Sequence, residues 1–453
     1  MIPTSILYLG IMLAAIILWF VVLKRPVYEA VLISFLLLLT ITGTWGNVMG
    51  YIEEAMSTSL LYSMVAFVAM SIIMTKTKVI DSCIAVILSL LGRVTGGAGY
   101  ASVIASSFMG ALSGSGPGNV RATGAITVPS MKRSGFPPEL AANIVSNASY
   151  MGNMIPPSSN IVAALGAFVA LYPDRSMTTG QFWVILWGIA LWFVAQRMLM
   201  VWAFCKYYKV KPMAKEDLPD LKETLRVSWQ GLLLPVIILL PFVLDYLLKD
   251  TFFTQRLGKE GAKYFSGSIL LFAGGVAAIY TCLIAKDKKV VSVSNLAKMF
   301  SGSVKSIAPA IGVCIFGYMI GAMFNDLNVS DELGGIITSW NFGKLGTVIA
   351  VCLITCFMGM VIPGSSIVVI FGPMFITSLA SVGCDPLLVA AMLPCICGVM
   401  CGITPPLGLG MYAGMTLAES DFDKTFKNNL WWVFAQFVME VVVLMGWLPI
   451  LGL

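Results

Sequence analysis

Apolar runs of roughly 20 residues, which at ~1.5 Å rise per residue cross a hydrocarbon core, recur along the whole chain. They fall at 3–23, 27–43, 57–74, 79–92, 137–172, 181–204, 231–248, 264–285, 306–324, 386–417 and 428–449. The most polar stretch between them, 206–226, is too short to fold alone and reads as a linker ending in an amphipathic helix. Composition agrees, with 58% hydrophobic and 11% charged residues and a mean hydropathy of +0.91; soluble domains carry about 25% charged residues. The expected fold class is an all-α polytopic membrane protein.

The first run lacks a basic leader and a small-residue cleavage site, and Lys24-Arg25 follow it, so it reads as a retained span. No run is basic enough for nucleic acid, although the net charge is +6. The ten Cys lie almost entirely in apolar runs, where a reduced thiol behaves as a small hydrophobe. Cys395, Cys397 and Cys401 cluster, but the chain has no His and no fourth ligand stands nearby, which favours helix packing over a metal. Without His or a core carboxylate pair, neither a nucleophile with its base nor a catalytic metal is in view. An enzyme is not expected, and neither is a cofactor.

Two further apolar regions, 97–129 and 345–381, are too long for one helix and are broken near the middle by Gly, Ser and Pro. The first reads GALSGSGPGNVRATG over 110–124. Such a region fits a re-entrant hairpin, because irregular backbone at membrane depth survives only under cover of protein or a watery cavity. Lys24-Arg25, Lys76, Lys78, Lys132-Arg133, the 206–226 linker and Lys286 to Lys289 then share one face, the cytoplasm by the positive-inside rule. The loop at 249–263, with Lys249, Arg256, Lys259 and Lys263, lands opposite as an exception. The hairpins enter from opposite sides, as an inverted repeat requires.

The order of motifs supports that repeat. Gly135 precedes Pro156-Pro157 by 21 residues, and Gly383 precedes Pro405-Pro406 by 22. Each half has a Gly/Ser-broken hairpin, a polar turn and a Pro-Pro-broken helix. The expected division is 1–204 with hairpin 97–129 and broken helix 137–172, a cytoplasmic linker at 205–230, and 231–453 with hairpin 345–381 and broken helix 386–417.

Pro-Pro at mid-membrane frees backbone carbonyls and splits the helix. A hairpin tip beside the break adds carbonyls, hydroxyls and helix ends, which are hard ligands suited to Na⁺ and, at half-helix N-termini, to an anionic substrate group. Ser113-Gly114-Ser115-Gly116 opposite Asn147 to Pro156 makes one candidate ion site. Pro363-Gly364-Ser365-Ser366 opposite Gly402-Ile403-Thr404-Pro405 makes its counterpart; close helix packing is the competing use of such small residues. Arg121, costly inside a membrane hairpin, either pairs with a carboxylate, sulfonate or phosphate or turns to the cytoplasmic surface and caps hairpin carbonyls. Asn119, Asn153 and Ser158 join it as candidate substrate contacts.

The segments LLGRVTGGAGYASVIASSFMGALSGSGPGNVRATGAITVPSMKRSGFPPELAA, the break at 155–157, GMVIPGSS and GITPPLGLGMYAG resemble the large membrane subunit of tripartite ATP-independent periplasmic (TRAP) transporters, the DctM-like family, over nearly the whole chain. The Asn-Val and Thr-Gly pattern and PSMKRSGFPPEL look closest to the branch called TAXI. The resemblance implies an elevator-type, Na⁺-driven secondary transporter of the ion-transporter superfamily in the cytoplasmic (inner) membrane. Its partners would be a small four-helix membrane subunit and a soluble extracytoplasmic binding protein, its substrate a small organic anion. The ion ligands it implies are Ser113, Gly114, Ser115, Gly152, Pro156, Gly364, Ser365, Ser366, Gly402 and Thr404. The Ser-Gly-Ser-Gly-Pro-Gly tip and Arg121 depart from the usual family pattern, and no small subunit is fused. The alternative is a self-sufficient ion-coupled organic-anion transporter of the same superfamily.

Overall fold

Inside a bilayer each backbone N–H and C=O must find its partner within the protein, and every apolar run forms helix. The computed structural model describes residues 4–453 except 58, 78, 114–115, 157, 173–174, 176, 178, 215, 217, 219, 330–331, 333–334, 336–338, 340–341, 361–363 and 406. Its first five helices are α1 (Thr4–Ile16), α2 (Val27–Thr42), α3 (Val48–Ser57), α4 (Ser59–Thr77) and α5 (Val79–Leu91). The first hairpin is α6 (Gly97–Ser113) and α7 (Gly116–Arg133), and the first broken helix is α8 (Pro138–Tyr150) and α9 (Ser159–Leu171). Then come α10 (Thr179–Tyr208), α11 (Leu221–Leu232), α12 (Leu234–Leu248), α13 (Thr254–Ile284), bent at Gly258, and α14 (Val293–Asp326). The second hairpin is α15 (Gly343–Gly359) and α16 (Gly364–Ser381). The second broken helix is α17 (Pro386–Ile403) and α18 (Leu409–Ala418), and α19 (Phe422–Leu444) closes the chain.

Among the described residues there is no strand. Three helices, α10, α16 and α17, are each long and apolar enough to cross a membrane, and several others are shorter apolar helices. The sequence assigns α16 to a hairpin limb, yet its 18 residues reach spanning length.

Two sets of helices can be followed, joined where α14 lies on α16 and α4 lies on α9 and α6. In one, α4 lies on α13, α14 lies on α2, α3 and α4, and α12 lies on α13. In the other, the hairpins grip the broken helices crosswise: α6 and α7 pack on α8, and α7 and α8 also pack on α18. Correspondingly, α16 packs on α17 and on α9. Each hairpin therefore holds the first half of its own broken helix and the second half of the other.

Helix α10 runs antiparallel to α19. Trp192 Nε1 donates to the Pro449 carbonyl at 2.8 Å, Arg197 meets Gln436, and the Phe204 ring stacks on Trp432 with centroids 5.8 Å apart. Their outer faces are apolar, with Leu191, Leu199 and Phe434 all about 60% exposed, whereas Arg197, Gln436 and Glu440 are buried. An apolar outside around a polar inside is the arrangement a lipid solvent selects. The linker crosses the base of the first hairpin, where the Lys211 N–H donates to Ser134 O and the Met213 N–H to Gly92 O.

Candidate functional site

The limbs of the first hairpin are joined by hydroxyls one helical turn apart. Ser102 Oγ lies 3.1 Å from Thr127 Oγ1, and Ser106 Oγ lies 2.9 Å from Thr123 Oγ1. Asn119 extends the series by donating to Ser106 O at 2.6 Å and, across to the first break, to Ser149 O at 3.4 Å. Close approach at that point depends on Gly110. A methyl group there would lie 2.4 Å from Ser149 O and 2.9 Å from Gly152 Cα.

The second hairpin repeats this contact. A methyl group at Gly364 would sit 2.5 Å from both Cys397 O and Gly398 Cα, and the Gly364 N–H reaches Cys401 Sγ at 3.2 Å. In α17 the turn at 397–399 keeps its i to i−4 bonds, so the true break falls at Thr404 to Gly408, with Thr404 extended at ψ 119.

Backbone accounting explains that break. Pro405 and Pro406 have no N–H, which leaves the Cys401 and Gly402 carbonyls without their helical donors. The next donor, Leu407 N–H, turns instead to Met360 O in the second hairpin at 3.0 Å. The Ile403 carbonyl thereby loses its partner and receives Asn429 Nδ2 at 2.6 Å. Asn429 is held in turn by Asn147 Nδ2, which donates to its Oδ1 at 3.0 Å, and Asn143 Nδ2 donates to Asn428 Oδ1 at 2.9 Å. Four asparagines thus join α8 to α19 and to the second break. Asn429→Ala, which strands a buried carbonyl, is expected to cost about 1–3 kcal/mol; a melting curve of the purified protein unchanged from wild type would refute it.

The first break is held from the second broken helix. Tyr150 and the turn Met151–Asn153 end α8, and Asn153 Nδ2 donates to Gly398 O at 2.8 Å. Beyond it Ser158 caps α9, its hydroxyl accepting the Asn160 N–H at 3.3 Å.

Of the residues the sequence assigns to ions, Gly114 and Ser115 lie outside the described residues, as does the side chain of Ser113, which closes α6. Gly152 and Pro156 are buried in the first break. Gly364 and Ser366 are buried at the start of α16, with Ser365 half-buried between them, and Gly402 and Thr404 are buried at the second break. Thr404 Oγ1 donates to Met400 O at 2.6 Å, which leaves its oxygen lone pairs unused. Ser366 Oγ, Asn119 Oδ1 and Ser149 Oγ are buried without hydrogen-bond partners.

Of the substrate candidates, Asn119 and Ser158 are buried, Asn153 is half-buried and Arg121 is exposed on α7. Three of them take up structural bonds: Asn119 inside the hairpin, Asn153 between the breaks and Ser158 at a cap.

Sequence reasoning passed over two constellations. The first is Tyr150, whose ring lies against three glycines of the site. The second is a buried chain in which Arg197 donates to Gln436 Oε1 and Gln436 Nε2 donates to Glu440 Oε1 at 2.6 Å. Gln436 Nε2 also lies 3.1 Å from Cys395 Sγ, which itself points at Glu440 Oε1 at 3.7 Å. Glu440 is the one carboxylate in 428–449, four residues after Gln436, and Arg197 is the one charge in 181–204. Lone charges in apolar runs are the signal that finds them.

Helical hairpins seated on two broken helices, in a bundle with apolar outer faces and with Arg197 and Glu440 held inside, define a helical membrane protein. Two solved structures share the fold: the YdaH transporter of Alcanivorax borkumensis, at 18% identity and TM-score 0.58 over 87% of this chain and 89% of that one, and Neisseria gonorrhoeae MtrF, described within a class of antimetabolite efflux pumps, at 14% and 0.61 over 91% and 86%. Residues 7–451 match the family described as "Tripartite ATP-independent periplasmic transporter, DctM component", and the chain belongs to it. Similar proteins include the C4-dicarboxylate TRAP transporter large permease protein DctM of Pseudomonas aeruginosa, 24% identical over 78% of this chain and 76% of its own length. The protein of that name from Vibrio cholerae is 26% identical over 85% and 84%. The sialic acid TRAP transporter large permease protein SiaM of Vibrio cholerae is 22% identical over 76% and 74%.

Proposed function

We propose that this large permease imports a small organic anion across the cytoplasmic membrane, driven by Na⁺. It receives the anion from a soluble extracytoplasmic binding protein and works beside a small four-helix membrane subunit. The observation that carries the ion reading is the set of buried oxygens without partners where the hairpins meet the breaks. Asn119 Oδ1 and Ser149 Oγ lie at the first, and Ser366 Oγ lies in the second hairpin. Buried polar atoms are ordinarily satisfied, and oxygen donors in a dry pocket suit a small hard cation.

The crosswise packing of hairpins and broken helices, with the antiparallel run of α10 and α19, supports two inverted repeats. We assign an elevator motion to the hairpins and broken helices, which meet α4 and α14 where α16, α9 and α6 lie on them. Relatives named for C4-dicarboxylates and sialic acid support an acidic substrate. Arg121, exposed on α7, is the cation we assign to the acidic group of that substrate.

The test is uptake of a panel of organic anions into proteoliposomes holding the permease, its small subunit and the binding protein, with an inward Na⁺ gradient or none. Uptake is expected only with the gradient; equal accumulation without Na⁺ would remove the ion sites. Thr404→Val keeps shape while deleting the oxygen, and it is expected to raise the Na⁺ concentration for half-maximal uptake by about tenfold, one ligand's worth of ~1.4 kcal/mol. An unchanged Na⁺ dependence would exclude Thr404 as a ligand.

A further inference from the structure

The Tyr150 ring is 5% exposed and lies in a cradle that only glycine leaves open. A methyl group at Gly402 would stand 1.8 Å from its Cε1 and 1.9 Å from its Cδ1. One at Gly410 would stand 2.3 Å from Cε2, and one at Gly116 would stand 2.4 Å from Cζ. These glycines belong to different parts of the site. Gly116 begins the returning limb of the first hairpin, Gly402 sits on the brink of the second break, and Gly410 lies in the first turn of the helix beyond it. Tyr150 itself ends α8, one residue after Ser149 and two before Gly152.

One flat, rigid ring is therefore wedged between the tip of the first hairpin and the break that faces the second. Gly116 follows the tip residues of the first proposed ion site, and Gly402 is a residue of the second. Packed interiors have discrete arrangements and do not deform continuously, so a shift of either glycine backbone must displace the ring. The displaced ring in turn presses on the other.

We infer that Tyr150 is a positioning residue that couples the two ion sites, so that filling one prepares the other. This rests on the Na⁺ reading above. The coupling is reciprocal, each site raising the affinity of the other by the same factor. Loss of the ring leaves two independent sites. Tyr150→Phe keeps the ring and its three contacts, and Tyr150→Ala removes them.

The experiment uses the purified full-length protein and Na⁺ alone as probe, with choline at matched ionic strength as control. A ligand that binds only the folded state stabilises it by RT ln of its binding polynomial. The derivative of that stabilisation with ln[Na⁺] is the mean number of ions bound, so titration of the melting curve reports both affinity and steepness. Wild type and Tyr150→Phe are expected to respond with a Hill slope clearly above one, and Tyr150→Ala with a slope of about one and a weaker half-point. Should Tyr150→Ala fail to fold, Tyr150→Leu keeps most of the apolar volume without the flat ring, and its slope decides. A wild-type slope above one that persists unchanged in Tyr150→Ala or Tyr150→Leu overturns the coupling and leaves the ion sites standing. A wild type indifferent to Na⁺ overturns the ion reading itself, and the coupling falls with it.

Discussion

Arg197→Ala and Glu440→Ala are each expected to destabilise the purified protein by about 3–5 kcal/mol, the cost of leaving one charge of a buried pair alone. Both side chains are essentially inaccessible, and no water competes for them. The two charges do not touch directly. Gln436 stands between them, taking the guanidinium N–H on its oxygen and giving its own N–H to the carboxylate, so its amide can serve in one orientation only. Cys395 brings α17 into the same cluster. The chain thus fastens α10, α17 and α19 at one point. Replacing both charges together, Arg197→Met with Glu440→Leu, is expected to recover most of the loss, because apolar side chains of similar volume commonly match a buried pair. Melting curves of the three variants check this; a double variant as unstable as the singles combined would mean that the groups act independently.

The second large effect concerns close backbone contact. Gly110→Ala and Gly364→Ala each drive a methyl group into backbone: Ser149 O and Gly152 Cα in one case, Cys397 O and Gly398 Cα in the other. Backbone cannot rotate away as a side chain can. The hairpin must lift off the break, at an overpacking cost of about 3 kcal/mol and with loss of Na⁺-driven uptake. Gly10→Ala and Gly50→Ala, where nothing lies within 4 Å, are the controls and are expected to transport as wild type does. Full uptake by Gly110→Ala or Gly364→Ala in proteoliposomes would show that the tips need not touch the breaks.

Helical class and the places where helix is interrupted were readable because both depend on local chemistry. Apolar periods of spanning length dictate helix, and Gly, Ser and Pro-Pro interrupt it wherever they occur. The first hairpin, expected over 97–129, has its second limb run on to Arg133, and the second limb of the other hairpin ends at Ser381. The ends of the breaks were less readable. In the first half α8 stops at Tyr150 and a tight turn at Met151–Asn153 follows, several residues before Pro156, whereas in the second half helix runs on to Ile403, next but one to Pro405.

What sequence reasoning could not supply was partnership. Asn143, Asn147, Asn428 and Asn429 look like scattered polar residues until α8 and α19 are placed side by side. Tyr150 reads as an ordinary core aromatic, since the glycines that frame it lie 34 residues before it and 252 and 260 after it. Asn119 was singled out as a substrate contact on its polarity; in the folded hairpin its Nδ2 serves the opposite limb, while its Oδ1 stays without a partner.

The crosswise packing also bears on how the chain is made. Arg197 awaits a partner 239 residues downstream, and Asn143 and Asn147 await Asn428 and Asn429, each more than 280 residues later. At roughly 5–20 residues per second of synthesis, the first half spends on the order of 10–50 s in the bilayer with its buried polar groups unmet. The completed chain is thus its own assembly factor, and the helix made last closes the half made first.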